Sequence, residues 1–261
     1  DGAGRRPFMQ TSPRSAPRIH VSGMDARAAA LAKEYHCGYE ITAFSYAPNL
    51  EREDVFSAVA ASLEGLDGLW LHAPFAELIP CAIDPNVRAN ALFRFRQTLS
   101  AAQRLGVHQI VVHGGFIPYV YYPEWYVEQS IAFWQELLSD APDDLLLAVE
   151  NVMEPGPQTL VEIAKGVADA RLGLCLDVGH ANTVVSKTAP QDWLVPMLPW
   201  LRHVHLHSNH GSLDEHLPFP EGTLDAPAIL SFLTQHPEIS VTLENQNALP
   251  ALRALRARGW V

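Results

Sequence analysis

Residues 145–177 read LLLAVENVMEPGPQTLVEIAKGVADARLGLCLD. Two apolar runs, Leu145–Glu150 and Gly173–Asp177, flank a stretch with helical character over Gln158–Ala168. Continuous apolar strands are typical of a parallel sheet that is covered on both faces, because neither side of such a strand meets water. The stretch therefore predicts a strand, a helix and a second strand parallel to the first.

The same alternation runs through the chain from residue 18. We predict eight strands: Arg18–Ser22, Tyr39–Phe44, Leu69–Ala73, Gln109–His113, Leu145–Glu150, Gly173–Asp177, His203–His207 and Ser240–Glu244. The predicted helices are Asp25–Tyr35, Glu53–Leu63, Asn86–Leu105, Glu124–Ser139, Gln158–Ala168, Gln191–Leu198, Ala226–Gln235 and Leu249–Arg258. Eight such repeats in about 245 residues indicate a single (β/α)8 TIM barrel. An open doubly wound sheet is disfavoured, because no G-x-G-x-x-G follows the first strand.

Composition agrees with one globular domain over residues 18–261. The chain is 48% hydrophobic and 18% charged, and its formal net charge of −11 argues against broad, charge-driven binding to nucleic acid. No apolar run approaches the roughly 18 residues that cross a bilayer. Three cysteines without C-x-x-C spacing predict reduced thiols and a cytoplasmic location. Residues 1–17 lack an apolar signal-peptide core and predict a flexible tail.

Side chains that bind metals recur where the predicted strands end. They are His72, His113, Glu150, Asp177, His180, His205, Asp214, His216 and Glu244. In a barrel these strand ends meet at one face, where barrel enzymes build their active sites. A single strand-end histidine is more often structural, but six consecutive strands with such a residue are poorly explained that way. An acidic, histidine-rich mouth would also repel itself without cations.

The number of candidate ligands exceeds what one ion takes, since a divalent ion has about four to six. Glu150 stands in chain order where it could bridge two ions. Two or three ions about 3.5–4 Å apart suit phosphoryl transfer, in which they activate water and stabilise oxyanions. One ion suits an isomerase or epimerase in which Glu150 and Glu244 exchange a proton. We take Glu150, Glu244 and His205 as the candidate catalytic residues.

A family resemblance rests on an ordered set of motifs. LHAPF (71–75), VVHGG (111–115), VEN (149–151), LDVGHAN (176–182), HVHLHSN (203–209), DEHLPFPEG (214–222) and LEN (243–245) resemble motifs of the xylose isomerase-like superfamily. That group includes endonuclease IV-type AP endonucleases and sugar phosphate isomerases or epimerases, all TIM barrels. The resemblance covers the chain from about residue 18 to its end.

The resemblance implies three sets of ligands. The first set is His72, His113 and Glu150; the second set is Glu150, Asp177, His205 and Glu244; the third set is His180, Asp214 and His216. Single-metal epimerases use the second set alone and usually lack the early histidines. The resemblance therefore favours a hydrolase with two or three zinc ions, with manganese as the alternative metal.

The substrate is less well defined than the metal site. Where the nuclease pattern has Asn-Asp, this chain has His207-Ser208, and Pro220-Glu221-Gly222 replaces an expected Gly-x-Gly. The sequence shows no cluster of Arg and Lys that is suited to bind a nucleic acid duplex. We therefore favour a small phosphorylated or phosphodiester metabolite, of which a cobamide-like phosphodiester is one example. The alternatives are a sugar isomerase or epimerase, an AP endonuclease acting on DNA, and a binding protein without catalysis; the oligomeric state is left open.

A further group of residues is predicted to touch the substrate. An aromatic stretch after the fourth strand could stack on a substrate ring, or could simply pack the loop. Asn151 and His207 could orient ligands or contact the substrate. The candidates are Tyr119, Tyr121, Tyr122, Trp125, Asn151 and His207.

Overall fold

The structure is a computed structural model that describes residues 16–261. The tail predicted over residues 1–17 therefore lies almost entirely outside the described residues. Within the described part of the chain, no helix is both long and apolar enough to span a membrane.

Eight strands alternate with eight helices. The strands are β1 (Ile19–Ser22), β2 (Gly38–Ile41), β3 (Leu69–His72), β4 (Gln109–His113), β5 (Leu146–Glu150), β6 (Leu172–Asp177), β7 (Leu201–Leu206) and β8 (Ser240–Leu243). The helices are α1 (Ala28–Tyr35), α2 (Glu53–Ser62), α3 (Pro85–Leu105), α4 (Pro123–Ser139), α5 (Gln158–Val167), α6 (Pro190–Met197), α7 (Ala226–Gln235) and α8 (Leu249–Ala257). Short 3₁₀ turns cover Ala47–Glu51 and His180–Asn182.

The strands form one closed parallel barrel in the order β1 to β8. Closure is made by β1 and β8, which pair in parallel with Ile19 opposite Val241. The prediction of a (β/α)8 TIM barrel is confirmed. Parallel pairing throughout places the carboxyl ends of all eight strands at the same rim.

Several element boundaries differ from the sequence prediction for local reasons. α1 begins at Ala28 rather than Asp25, because the Asp25 carboxylate accepts the backbone N–H of Arg27 at 2.9 Å and forms a turn before the helix. β2 ends at Ile41, since the Ser45 N–H donates to the Thr42 carbonyl and turns the chain. β7 begins at Leu201 and leaves His207 in the loop that follows it.

The barrel interior is layered. On each strand from β3 to β8, an inward-facing residue precedes a candidate ligand by two positions, which is the side-chain period of a strand. Trp70, Val111, Ala148 and Cys175 form a separate buried apolar cluster beneath the ligands. The His203 ring stacks on Trp70 with ring centroids 4.1 Å apart, which closes this layer on the β7 side. The candidate ligands thus lie directly above a packed layer of buried side chains.

Candidate metal centre

The predicted ligands are brought together at the carboxyl rim of the barrel. His72, His113, Glu150 and Asp177 are the last residues of β3 to β6. His205 lies on β7, and Glu244 directly follows β8. His180 lies in the 3₁₀ turn after β6, and Asp214 and His216 lie in the loop after β7. One face of the barrel therefore holds all nine predicted metal ligands.

Glu150 is the centre of the cluster. Its Oε2 lies 3.4 Å from His72 Nε2 and 3.3 Å from His113 Nε2. Its Oε1 lies 3.3 Å from His205 Nδ1 and 3.3 Å from His180 Nδ1. Both carboxylate oxygens are buried without a hydrogen-bond partner. A buried carboxylate in this state needs a cation or a proton close to it.

The spacing of the ligand atoms fits a divalent ion. Two atoms at about 2.0–2.2 Å from one tetrahedral zinc lie about 3.3 Å from each other. Ligand atoms of Glu150, Asp177, His205 and Glu244, the second set, all lie within 4.8 Å of one another. In the third set, Asp214 Oδ2 lies 3.3 Å from His180 Nε2 and 2.9 Å from His216 Nε2. The two Asp214 separations fit ligand atoms of one ion, but the compact group that contains Asp214 and His216 has His207 as its third member. The compact group that contains His72 and Glu150 has His205 as its third member.

Several candidate-ligand histidines are anchored through Nδ1, which donates to a backbone carbonyl. Nδ1 of His72 donates to the carbonyl of Ala73 at 2.8 Å, and Nδ1 of His216 donates to the carbonyl of Glu244 at 2.9 Å. His180 donates in the same way to the carbonyl of Asn151 at 2.9 Å. Each such bond fixes the tautomer and leaves Nε2 as a lone-pair donor toward the cluster, the usual arrangement of metal-bound histidines.

A buried carboxylate supports His205 from below. Glu40 of β2 is fully buried and lies 3.2 Å from His205 Nε2. It also accepts the Thr242 hydroxyl at 2.6 Å and faces His203 Nε2 at 3.2 Å. Glu40 was not among the predicted site residues. A charged residue inside an apolar predicted strand was the signal that could have identified it.

The electrostatics of the cluster favour a cation. Burial raises the pKa of Glu150, but the surrounding histidines, His205 and His113 first, outweigh burial and hold that pKa well below its usual range. Burial, together with the nearby charges of Glu150 and Asp177, raises the pKa of Glu244 despite the opposing effect of His205. Three carboxylates this close are held together most readily by divalent ions.

A cavity of about 520 Å³ opens over the cluster. Six of the candidate ligands line it: His72, His113, His180, Asp214, His216 and Glu244. Its other walls consist of Met24, Thr42, Ser45, Phe75, Val152 and Met153. The Phe75 ring stacks on His113 with centroids 4.6 Å apart. The cavity is thus lined by candidate ligands and by a mainly apolar group of residues, and the sequence did not predict the apolar group.

The predicted substrate-binding residues occupy varied places. Tyr119 and Tyr122 project into solvent, Tyr121 packs partly against the core, and Trp125 donates from Nε1 to the carbonyl of Cys81 at 2.8 Å. None of these four is among the residues that line the cavity in the described part of the chain. Their role in substrate binding stays a prediction.

Asn151 and His207 lie beneath the cavity and contact Asp177. Asn151 donates from its amide to the Asp177 carbonyl at 2.9 Å and accepts the Asp177 N–H at 2.8 Å. His207 donates from Nε2 to Asp177 Oδ2 at 2.9 Å. Both residues therefore orient a candidate ligand, as outer-shell partners of metal sites do.

Comparisons with known proteins agree with this architecture. A family model described as a xylose isomerase-like TIM barrel matches residues 29–258. A probable endonuclease 4 from Mycobacterium ulcerans (strain Agy99) is 28% identical over 175 residues, which are 62% of this chain and 64% of that protein. The chain spans between 52% and 66% of the length of the curated relatives it matches.

Two solved structures share the fold over nearly their whole length. A D-tagatose 3-epimerase-like protein superposes with a TM-score of 0.78 at 23% identity, covering 93% of this chain and 96% of that one. A protein from Thermus thermophilus, soaked with ZnCl2, superposes with a TM-score of 0.75 at 26% identity, covering 93% and 99%. Since the family model spans most of the sequence and the closed barrel carries its strand-end ligands, the chain belongs to the xylose isomerase-like TIM barrel family.

Proposed function

We propose that the protein is a metal-dependent hydrolase that cleaves a phosphoester or phosphodiester of a small metabolite. The observation that carries the proposal is the third set, in which Asp214 lies between His180 and His216 at 3.3 and 2.9 Å. An isomerase with one ion in the second set has no need of this group. A site with two or three ions is the arrangement that suits phosphoryl transfer.

The three sets are the proposed ligands of these ions, with Glu150 shared between the first and the second. Imidazole nitrogen and carboxylate oxygen in sets of three or four ligands favour zinc, and manganese is the second choice. A solved structure of this fold that was soaked with ZnCl2 supports the choice of zinc. Bound divalent ions would activate water and neutralise charge on the phosphate oxygens.

The chain's own residues would hold the ions and orient the groups that bind them. Glu150 links all three sets through contacts of 3.3–3.4 Å to His72 and His113 of the first, His205 of the second and His180 of the third. His205 is held from behind by Glu40, which directs Nδ1 toward Glu150 and Glu244. Glu244 lines the cavity and its pKa is raised by burial, so it is placed to hold or transfer a proton at the substrate.

The cavity favours a small substrate. Its volume of about 520 Å³ lies in the range of small-molecule pockets. No Lys or Arg of the described residues lines it, and the chain carries a net charge of −11, so a nucleic acid backbone would find few cations besides the ions themselves. Phe75 and Met153 offer apolar contact to the part of the substrate beyond the phosphate. A cobamide-like phosphodiester is one candidate of this class.

A single-metal sugar isomerase or epimerase is the second candidate. The observation in its favour is the compact second set, in which four ligand atoms lie within 4.8 Å of one another. In that reaction one of Glu150 and Glu244 would remove a proton from the carbon next to a carbonyl, and the other would return one. The third set would then have no function in turnover.

The test is a metal count together with a substrate panel. We expect two or three zinc ions per chain by elemental analysis, and release of p-nitrophenol from bis-p-nitrophenyl phosphate. Asp214→Asn should lower both the zinc content and the release of p-nitrophenol. Glu150→Gln should abolish turnover and weaken metal binding without unfolding the barrel. One ion per chain with solvent-proton exchange in a keto sugar would favour the isomerase. Cleavage of abasic-site DNA in preference to small phosphodiesters would favour the nuclease.

A further inference from the structure

His207 presents an unpartnered nitrogen to the third set. The residue directly follows β7 and is fully buried. Its Nε2 donates to Asp177 Oδ2 at 2.9 Å, whereas its Nδ1 is shielded from solvent and has no hydrogen-bond partner among the described residues. The nearest carboxylate atom to Nδ1 is Asp214 Oδ1 at 3.7 Å, beyond hydrogen-bond range.

The bond to Asp177 decides which nitrogen of His207 carries the proton. A carboxylate oxygen only accepts, so Nε2 is the protonated nitrogen and Nδ1 of the neutral ring carries a lone pair. That lone pair faces the negative carboxylate of Asp214 without a hydrogen bond between them. Two electron-rich atoms that face each other in a buried site repel unless a cation lies between them.

The ring of His207 is held rigidly in this orientation. A side-chain atom added at Gly179 would clash with His207 Cε1, so the absence of a side chain there is what makes room for the ring. The ring also stacks on His216 with centroids 4.1 Å apart and planes inclined by 19°. A ring fixed by packing in this way is preorganised as metal ligands are.

His207 also completes a compact ligand group. The ligand atoms of His207, Asp214 and His216 all lie within 4.8 Å of one another. His180 approaches the same carboxylate, with its Nε2 3.3 Å from Asp214 Oδ2. We infer that Nδ1 of His207 binds the third ion together with Asp214 and His216, an inference that rests on the proposed multinuclear site.

With His207 as a ligand, the second and third sets are linked by a hydrogen bond between His207 and Asp177. Asp177 is a proposed ligand of the second ion, and its Oδ2 accepts the proton of the ring that binds the third. Such a carboxylate–histidine–metal arrangement increases the basicity of the ligating nitrogen. The third ion would also fasten the loop after β7, because His207 and His216 stand next to the two ends of the Ser208–Leu217 bridge. Retention of that ion then requires no substrate.

The test compares zinc binding in four proteins. His207→Gln retains an amide N–H that can donate to Asp177, but it lacks the ring nitrogen that faces Asp214. Asp214→Asn is the positive control for loss of the third ion. His210→Gln is the matched control, because His210 is exposed and pairs with Glu215. Zinc per chain is measured by elemental analysis after equilibration with a chelator, and affinity by competition with a chromophoric chelator.

We expect three zinc ions in the wild type and in His210→Gln, and two tightly held ions in His207→Gln. The affinity for the third ion should fall by more than the about 10–100-fold that the loss of an outer-shell hydrogen bond costs. A His207→Gln protein that keeps three ions at wild-type affinity would overturn the inference and leave the proposed hydrolase intact. A wild type with two ions would overturn the third ion and with it this inference, and a wild type with one ion would contradict the multinuclear site itself.

A second measurement uses the wild-type protein, so its result does not depend on whether the His207→Gln variant folds. In ¹⁵N-detected spectra of the histidine rings, zinc should shift the Nδ1 resonance of His207 while Nε2 stays protonated. If Nδ1 of His207 keeps its metal-free shift when the zinc sites are saturated, the ring is not a ligand.

Discussion

Glu40 is a buried side chain that supports the position of His205. It is buried inside the barrel and contacts His205, His203 and Thr242 at 2.6–3.2 Å. Its carboxylate accepts the proton on Nε2 of His205, so that Nδ1 is left to face Glu150 and Glu244. Glu40 therefore acts on the metal site through His205, as an outer-shell positioning residue.

We predict that Glu40→Gln lowers the zinc affinity of the second set by about 10–100-fold. The glutamine keeps the volume but offers a weaker, uncharged acceptor to His205 Nε2. Zinc competition titrations measure the change. Glu238→Gln is the matched control, because Glu238 is exposed and pairs with His236. Unchanged zinc affinity in Glu40→Gln would remove Glu40 from the support of His205.

The Asp214–His216 pair makes zinc binding depend on pH. Burial lowers the pKa of His216, but Asp214, and then Glu244, outweigh it and raise that pKa from 6.5 to about 9 in the metal-free protein. A ligand must lose its proton to bind metal, so zinc competes with a proton below about pH 9. Since the folded pKa is raised, protonation stabilises the metal-free fold fully below about pH 6.5, and this contribution is lost as the pH rises through about 9.

The expected result is therefore a zinc affinity of the third set that rises with pH through about 9, where His216 loses its proton. Burial lowers the pKa of His180, but Asp177 and then Asp214 outweigh burial and raise that pKa well above its usual value, so His180 adds to the rise. Zinc added at neutral pH should release protons into an unbuffered solution. His216→Gln should release fewer protons per ion bound. Proton release that is the same in both proteins would contradict the raised pKa of His216.

Among the loops, the segment after β7 decides whether the third set forms. Ser208 and Leu217 exchange backbone hydrogen bonds of 2.8 and 2.9 Å, which brings Asp214 and His216 back over the barrel. Gly222 closes the segment with a φ of 73°, and a side-chain atom there would clash with the Asn209 carbonyl oxygen. This segment holds Asp214 and His216, whereas His180 of the same set lies in the 3₁₀ turn after β6.

We predict that Gly222→Ala weakens zinc binding at the third set and lowers the free energy of unfolding. Gly65→Ala is the control, because Gly65 also has a positive φ but an alanine Cβ there would have nothing within 4 Å. The left-handed conformation alone costs about 1–2 kcal/mol for alanine, so Gly65→Ala should lose about that much and keep its zinc. Urea unfolding and zinc content measure both effects. Equal losses in the two variants would show that the Asn209 contact is unimportant.

The molecule as a whole shows which features depend on local pattern and which on long-range packing. The barrel could be predicted, and so could the meeting of the nine candidate ligands at one rim, because parallel strands bring their carboxyl ends and the loops that follow them to the same face. Metal binding by these residues stays a prediction. The role of Glu40 could not, since it depends on β7 and β8 meeting β2 across the barrel interior. The contact of His207 with Asp214 and the apolar wall around Phe75 likewise depend on how separate loops fold over the rim.

Zinc stoichiometry measured together with phosphodiester turnover tests the central proposal most directly. The purified protein should hold about three zinc ions per chain and hydrolyse bis-p-nitrophenyl phosphate, and Asp214→Asn should lose the third ion and most of the turnover together. One ion per chain, with proton exchange in a keto sugar and no phosphodiester cleavage, would contradict it.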